Sequence, residues 1–252
     1  MDGAQTQSTL NLRTRVETFK GSGRWDKVSV ERPFSPGETA ILICDVWDTH
    51  WCRTAAERAG ELAVRIDALA KAARREGMQV IHSPSNALEF YAGAAQRQRV
   101  ADASVVDTPE PIDLLDPPLP IDDSDGGCDT GECAQGRPWT RQHPAIEIAE
   151  SDAISDDGCE VYSVLHGRGI KTLLFTGVHT NMCVLNRSFG IKQMTRWGVE
   201  CVLVRDLTDT MYNPKRAPYV SHDEGTELVI EHIEQHWCPT VTSAELMPLL
   251  KG

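Results

Sequence analysis

The sequence predicts an α/β fold, with a mostly parallel sheet covered by helices on both faces. Two observations carry this. Short apolar runs without alternation recur, as in Thr39-Ala-Ile-Leu-Ile-Cys44 and Val199-Glu-Cys-Val-Leu-Val204, which is the pattern of strands buried on both faces. Between them lie segments with helical periodicity, so that strands and helices alternate. A length of 252 residues suits one large α/β domain or two small ones.

Residues 1–38 are polar and carry Gly21, Gly23, Pro33, Pro36 and Gly37, which predicts an irregular N-terminal arm ahead of a domain over 39–252. The run 39–44 is the first strand. Good helix formers follow over 54–76, with an apolar face through Ala59, Leu62, Ile66, Leu69 and Ala73, and Gly77 ends that helix. Met78–His82 reads as a second strand. Residues 83–144 break the rhythm with a long insertion rich in Pro, Asp and Gly, of the kind that forms a lid or serves function. Rhythm returns with a strand over 145–149, a helix near 156–168 and a strand over 171–176. A helix from Cys183 to about Trp197, a strand over 199–204, a helix over 223–236 and a short strand over 239–242 complete the pattern. Crossovers between parallel strands are expected to be right-handed.

The formal net charge of −12 argues against nucleic acid or an anionic membrane as partner, since both require a basic face. No apolar run approaches a membrane span of about 20 residues. The N-terminus lacks the apolar core of a secretory signal. Eight scattered cysteines in so large a chain read as mostly reduced thiols, and a cytoplasmic location is expected. Cys128 and Cys133 are close in sequence and could form a disulfide or hold a metal, but with no second pair at ligand spacing a zinc site is not the expectation. The acidic run DDSDGGCDTGE (122–132) departs from a calcium-loop pattern and reads as a solvated loop.

Chemistry is expected at the carboxyl ends of the parallel strands. Asp45 ends the first strand, and GVHTNMCV (177–184) follows a later one. A thiol at the start of a helix sits among free backbone N–H groups, which favours the thiolate. A nearby carboxylate can take the thiol proton and pass it to a leaving group. Cys183 and Asp45 are therefore the candidate nucleophile and base.

Three segments, ILICDVWD (41–48), RGIKTLLFTGVHTNMCV (168–184) and RWGVECVLVRDLTDT (196–210), resemble the isochorismatase-like hydrolases, the cysteine hydrolase superfamily. The resemblance implies a three-layer, Rossmann-like fold with a six-stranded parallel sheet. It implies a cis peptide bond between Val178 and His179, and an oxyanion hole from the backbone N–H groups of His179 and Cys183. Cleavage of an amide-like C–N bond of a small molecule follows from the same likeness, since isochorismatase itself does not use a cysteine nucleophile.

Two departures stand out. The family's catalytic lysine aligns with Glu150, and there is no lysine between Lys71 and Lys171. Arg137 or Arg141, in RPWTR, is the expected replacement for its charge, pairing with Glu150 or Asp45 near Cys183. Without such a cation the expectation becomes a catalytically weak binding or regulatory protein. The metal-binding Asp-x-His motif of nicotinamidases is replaced by Ser85 and Ala87, so no catalytic metal and no cofactor are expected. His82 is expected to be a hydrogen-bonded structural residue. Trp47, Trp51, Phe90, Tyr91 and Asn181 are candidates for the substrate pocket, and a homo-oligomer, dimer or tetramer, is expected.

Overall fold

The computed structural model describes residues 8–130 and 134–251. An eight-stranded sheet runs through it in the order β2-β1-β8-β7-β6-β3-β4-β5. The strands are β1 (Ser8–Glu17), β2 (Trp25–Phe34), β3 (Thr39–Cys44), β4 (Gln79–Ser83), β5 (Ala153–Ile154), β6 (Thr172–Val178), β7 (Glu200–Asp209) and β8 (Thr240–Val241). Strands β3 to β8 are parallel to one another. They form the six-stranded parallel sheet expected of the fold. Helices α1 (Arg53–Arg75), α2 (Ala95–Ala101), α3 (Gly158–Gly167), α4 (Ile191–Arg196), α5 (His222–His236) and α6 (Ser243–Leu246) accompany it. Two apolar clusters lie on opposite faces. One packs Ile41 and Ile43 against Ala63, Ile66 and Leu69 of α1. The other packs Leu42 and Phe175 against Leu165 of α3 and Ile233 of α5. No helix among the described residues is long and apolar enough to cross a membrane.

The additional two strands correct the reading of an irregular arm. β1 and β2 form a regular antiparallel hairpin around Gly21 and Gly23, and β1 docks antiparallel on β8. The strand signal was the alternation in LNLRTRV, which turns Leu10 and Leu12 inward. The hairpin is tied to α5 through Glu234, whose side chain is fully buried. That carboxylate accepts from Arg13 Nε at 2.5 Å, Arg15 Nε at 3.3 Å and the Thr240 hydroxyl at 2.6 Å.

The strand expected over 145–149 is absent. His143 N–H donates to Val46 O and Ile146 N–H to His143 O, so the chain turns there. Arg74 takes the Glu147 carbonyl, and Asp152 takes the Ala149 N–H. With those backbone groups committed, the sheet edge beside β4 falls to Ala153–Ile154 instead. The helix expected from Cys183 to Trp197 is also broken. Thr180–Val184 is one wide turn in which Val184 N–H reaches the His179 carbonyl at 3.2 Å. The chain then makes a turn to Arg187, bends at Ser188–Gly190 and restarts as α4.

Glu234→Gln is expected to lower unfolding stability by about 1–3 kcal/mol, because two arginines and a hydroxyl lose a buried anionic acceptor. Urea titration checks this. A variant with the wild-type midpoint would show that the hairpin is anchored by its strand pairing alone.

Candidate active site

The site is built where β3 and β6 end side by side. Their register places Cys44 opposite Gly177. A Cβ on Gly177 would lie 2.0 Å from the Cys44 carbonyl oxygen, and its φ is +103°, so only glycine allows this approach. Asp45 follows β3 with φ +48°, and the peptide bond between Val178 and His179 after β6 is cis. The turn carrying Cys183 begins at once.

Asp45 is completely buried. One carboxylate oxygen accepts the Ser85 N–H at 2.6 Å, and the other accepts Arg187 Nε at 3.0 Å. The Cys183 thiol lies close enough to this carboxylate for the two to interact electrostatically. Burial raises the Asp45 carboxyl above its ordinary range, against the opposing pull of the Arg187 charge and of Cys183 and Ser85. The Cys183 thiol is pushed up to about 12 by burial and by the Asp45 charge, while Arg187 and a backbone hydrogen bond from His179 act the other way. The same carboxylate and the desolvated thiol raise the Arg187 guanidinium further. Thiol, carboxylate and guanidinium thus form one coupled unit in which the resting proton belongs on sulfur.

The cation in this unit was not among the candidates. Glu150 is exposed on a turn, and its carbonyl accepts from Arg99. Arg137 donates to the Asn86 side chain at 3.3 Å, and Arg141 lies over the Phe90 ring, 5.3 Å from its centre. Neither arginine pairs with Glu150 or Asp45. The chain around Arg141 is held by Asp48, whose carboxylate accepts from the Thr140 and Arg141 N–H groups. Arg187 takes the position instead. It stands four residues after Cys183, one helical turn on, and its N–H donates to the Cys183 carbonyl at 3.1 Å. That spacing was the available signal.

Cys183 opens onto a shallow cavity of ≈ 500 Å³ lined by Leu119, Asp123, Asn181, Met182, Asn186 and Arg187. Of the expected pocket residues only Asn181 belongs to it, and its amide is occupied by Asp123 at 2.7 Å and by the Met211 backbone. Trp47 stacks on Trp139 at 4.0 Å and donates to the Ser85 carbonyl. Together with His50 and His179 it lines a narrow crevice behind Asp45. Trp51 packs on the Cys52–Met211 cluster, Phe90 is exposed beneath Arg141, and the Tyr91 hydroxyl accepts the Gln142 N–H. Sequence proximity to strand ends therefore marked aromatic packing around the site rather than its mouth. His179 is buried edge-on to His50, at 4.9 Å, and burial lowers the two rings to about 3 and about 4, so both are neutral at pH 7.

The position where nicotinamidase-like relatives are expected to hold a metal does not fit one. His82 has both ring nitrogens engaged, by Gln142 and Asp152 at 2.9 Å each. Ser85 serves Asp45 through its backbone, and Ala87 has no donor side chain. The acidic run also differs from a solvated loop. Asp122 pairs with Arg216, Asp123 with Asn181, Asp125 with Asn213 and Asp129 with Arg58, so these carboxylates dock the insertion. Cys133 lies outside the described residues.

Comparison with known proteins agrees with this architecture. A cysteine hydrolase from Pseudomonas syringae pv. phaseolicola 1448A superposes with TM-score 0.55 and 16% identity, covering 87% of this chain and 95% of that one. An isochorismatase from Pseudomonas putida KT2440 superposes with TM-score 0.50 and 13% identity, covering 84% and 92%. At these identities the likeness is one of fold. No curated protein matches the chain in sequence. The model of the isochorismatase domain matches residues 39–245, which span every parallel strand and both Asp45 and Cys183. On that match, the chain belongs to the isochorismatase family.

Proposed function

We propose that the protein is a hydrolase that opens an amide-like C–N bond of a small molecule through a thioester on Cys183, without a catalytic metal. The observation that carries this reading is the buried Asp45 carboxylate, which meets the Cys183 thiol and Arg187 together. Family membership supports hydrolysis in general.

The steps follow from the groups in place. Cys183 Sγ attacks the substrate carbonyl carbon, and its proton passes to Asp45. The resulting oxyanion is received by the backbone N–H groups of His179 and Cys183 at the wide turn. Asp45 returns the proton to the leaving nitrogen as the C–N bond breaks, which leaves a thioester. Water then gives a proton to Asp45 and attacks the thioester carbon. The C–S bond breaks, sulfur recovers the proton, and the carboxylic acid departs. Arg187 keeps Asp45 ionised in its buried setting and offsets the negative charge that the pair carries throughout. On this reading Arg187 supplies the charge expected from the family's lysine, which favours the enzyme over a purely binding role.

Cys183→Ala and Cys183→Ser are expected to abolish ammonia or amine release from a panel of small amides and ureas, with the far-UV spectrum unchanged. Turnover near wild type in either variant would remove Cys183 as nucleophile. In the wild type, mass spectrometry of quenched turnover should find an acyl adduct on the peptide containing Cys183.

Arg187→Met should slow turnover by about 10²–10³-fold, the cost of losing one positioned electrostatic group. It should also shift the acidic limb of the rate profile to higher pH. The sign follows from charge: Arg187 lowers the Asp45 and Cys183 values, so its removal raises both. Activity is then lost at a higher pH as protons are added to Asp45. Iodoacetamide labelling of Cys183 should slow at each pH in the same variant, and Arg187→Lys should restore part of both effects. An unshifted profile would show that Arg187 does not act on this pair.

A further inference from the structure

A second group of reactive side chains lies beside the site and takes no part in the chemistry above. Cys52 heads α1, whereas Cys128 and Asp129 belong to the insertion, 76 and 77 positions further along. Their Sγ and carboxylate oxygen atoms all lie within 4.8 Å of one another. No other set of three or more His, Cys, Asp or Glu ligand atoms gathers in this way among the described residues.

We propose that Cys52, Cys128 and Asp129 form a structural zinc site that clamps the insertion onto the start of α1. The distances suit the ion. With Zn–S of about 2.3 Å and Zn–O of about 2.1 Å, tetrahedral ligands are separated by about 3.6–3.8 Å. Cys52 Sγ lies 3.7 Å from Asp129 Oδ1. Two thiolates select a soft or borderline cation over magnesium or calcium. The sulfurs are buried, and Ala55, Met211, Trp51 and Met182 pack around them. The carboxylate is oriented from outside: the Thr54 hydroxyl donates to Oδ1, and Arg58 Nη1 donates to Oδ2 at 2.8 Å. Arg58 also holds Asp209 at 2.9 Å, and its buried Nη2 has no hydrogen-bond partner among the described residues.

Two thiolates and one carboxylate carry three negative charges, of which Zn²⁺ offsets two and Arg58, shared with Asp209, offsets part of the third. The two thiol protons pass to solvent on binding, and a water molecule completes the tetrahedron. The site is separate from Cys183, but Asp123 of the same segment bonds to Asn181, two residues before Cys183. Zinc would therefore hold the piece of insertion that rims the cavity over the thiol.

The test uses the full chain, reduced and stripped with a chelator, then reloaded with Zn²⁺ or Co²⁺ and desalted. Wild type and Cys183→Ser should each retain one zinc per chain by atomic emission. Their Co²⁺ forms should show an intense near-ultraviolet thiolate-to-metal band. Cys52→Ser and Cys128→Ser should lose both signals, and Asp129→Asn should bind more weakly. Added Zn²⁺ should raise the Tm of wild type and leave the two serine variants unmoved. Circular dichroism identifies a variant that fails to fold, and the wild-type metal content then decides alone. Substoichiometric zinc in wild type, undiminished zinc in both serine variants, or either thiol found in a disulfide on counting under denaturing conditions would each overturn the proposal.

Discussion

The closeness of β3 to β6 is the constraint on which the site depends. Gly177 lets the Cys44 carbonyl approach to a distance that any side chain would block. Because these strands are parallel and in register, Asp45 and His179 emerge next to each other at one edge. The wide turn that follows His179 then brings Cys183 back toward the carboxylate. A slip of one residue between the strands would move Asp45 to the other face of the sheet.

Burying the Asp45 carboxylate is unfavourable without compensation, since removing an ion from water costs several kcal/mol even after relaxation. Two donors meet that cost. The Ser85 N–H arises from the turn after β4, and the Arg187 guanidinium from the turn after β6. Both neighbours of β3 in the sheet thus contribute one group each to the residue at its end. This arrangement ties the electrostatics of the site to the strand order, and it explains why the guanidinium need not come from the insertion. Asp48 meanwhile holds the Arg141 backbone.

The insertion has its own logic. Its carboxylates look like a solvated run in one dimension, yet each of Asp122, Asp123, Asp125 and Asp129 meets a donor from a distant part of the chain. Those donors sit on the turn after β6, the segment after β7 and α1. The acidic segment therefore gathers the loops around the nucleophile, and its irregular backbone is compatible with a fixed position because side-chain contacts replace a ladder.

Much of this was determined by local sequence. Unbroken apolar runs marked β3, β6 and β7, because burial on both faces of a parallel sheet demands them. Helical periodicity marked α1 and α5, and the Asp45 and Cys183 pair was legible from its placement at strand ends. The tertiary structure decided what depends on partners remote in sequence. AIEIA has the alternation of a strand, but its backbone is engaged by Arg74 and Asp152, while LNLRTRV found an edge on β8. Arg187 became the cation because the turn after Cys183 brings its guanidinium onto Asp45, so the four-residue spacing acquires its meaning only in the fold. Cys128 met Cys52 across the fold, since a ligand cluster is a property of distances in space and chain spacing records only neighbours along it.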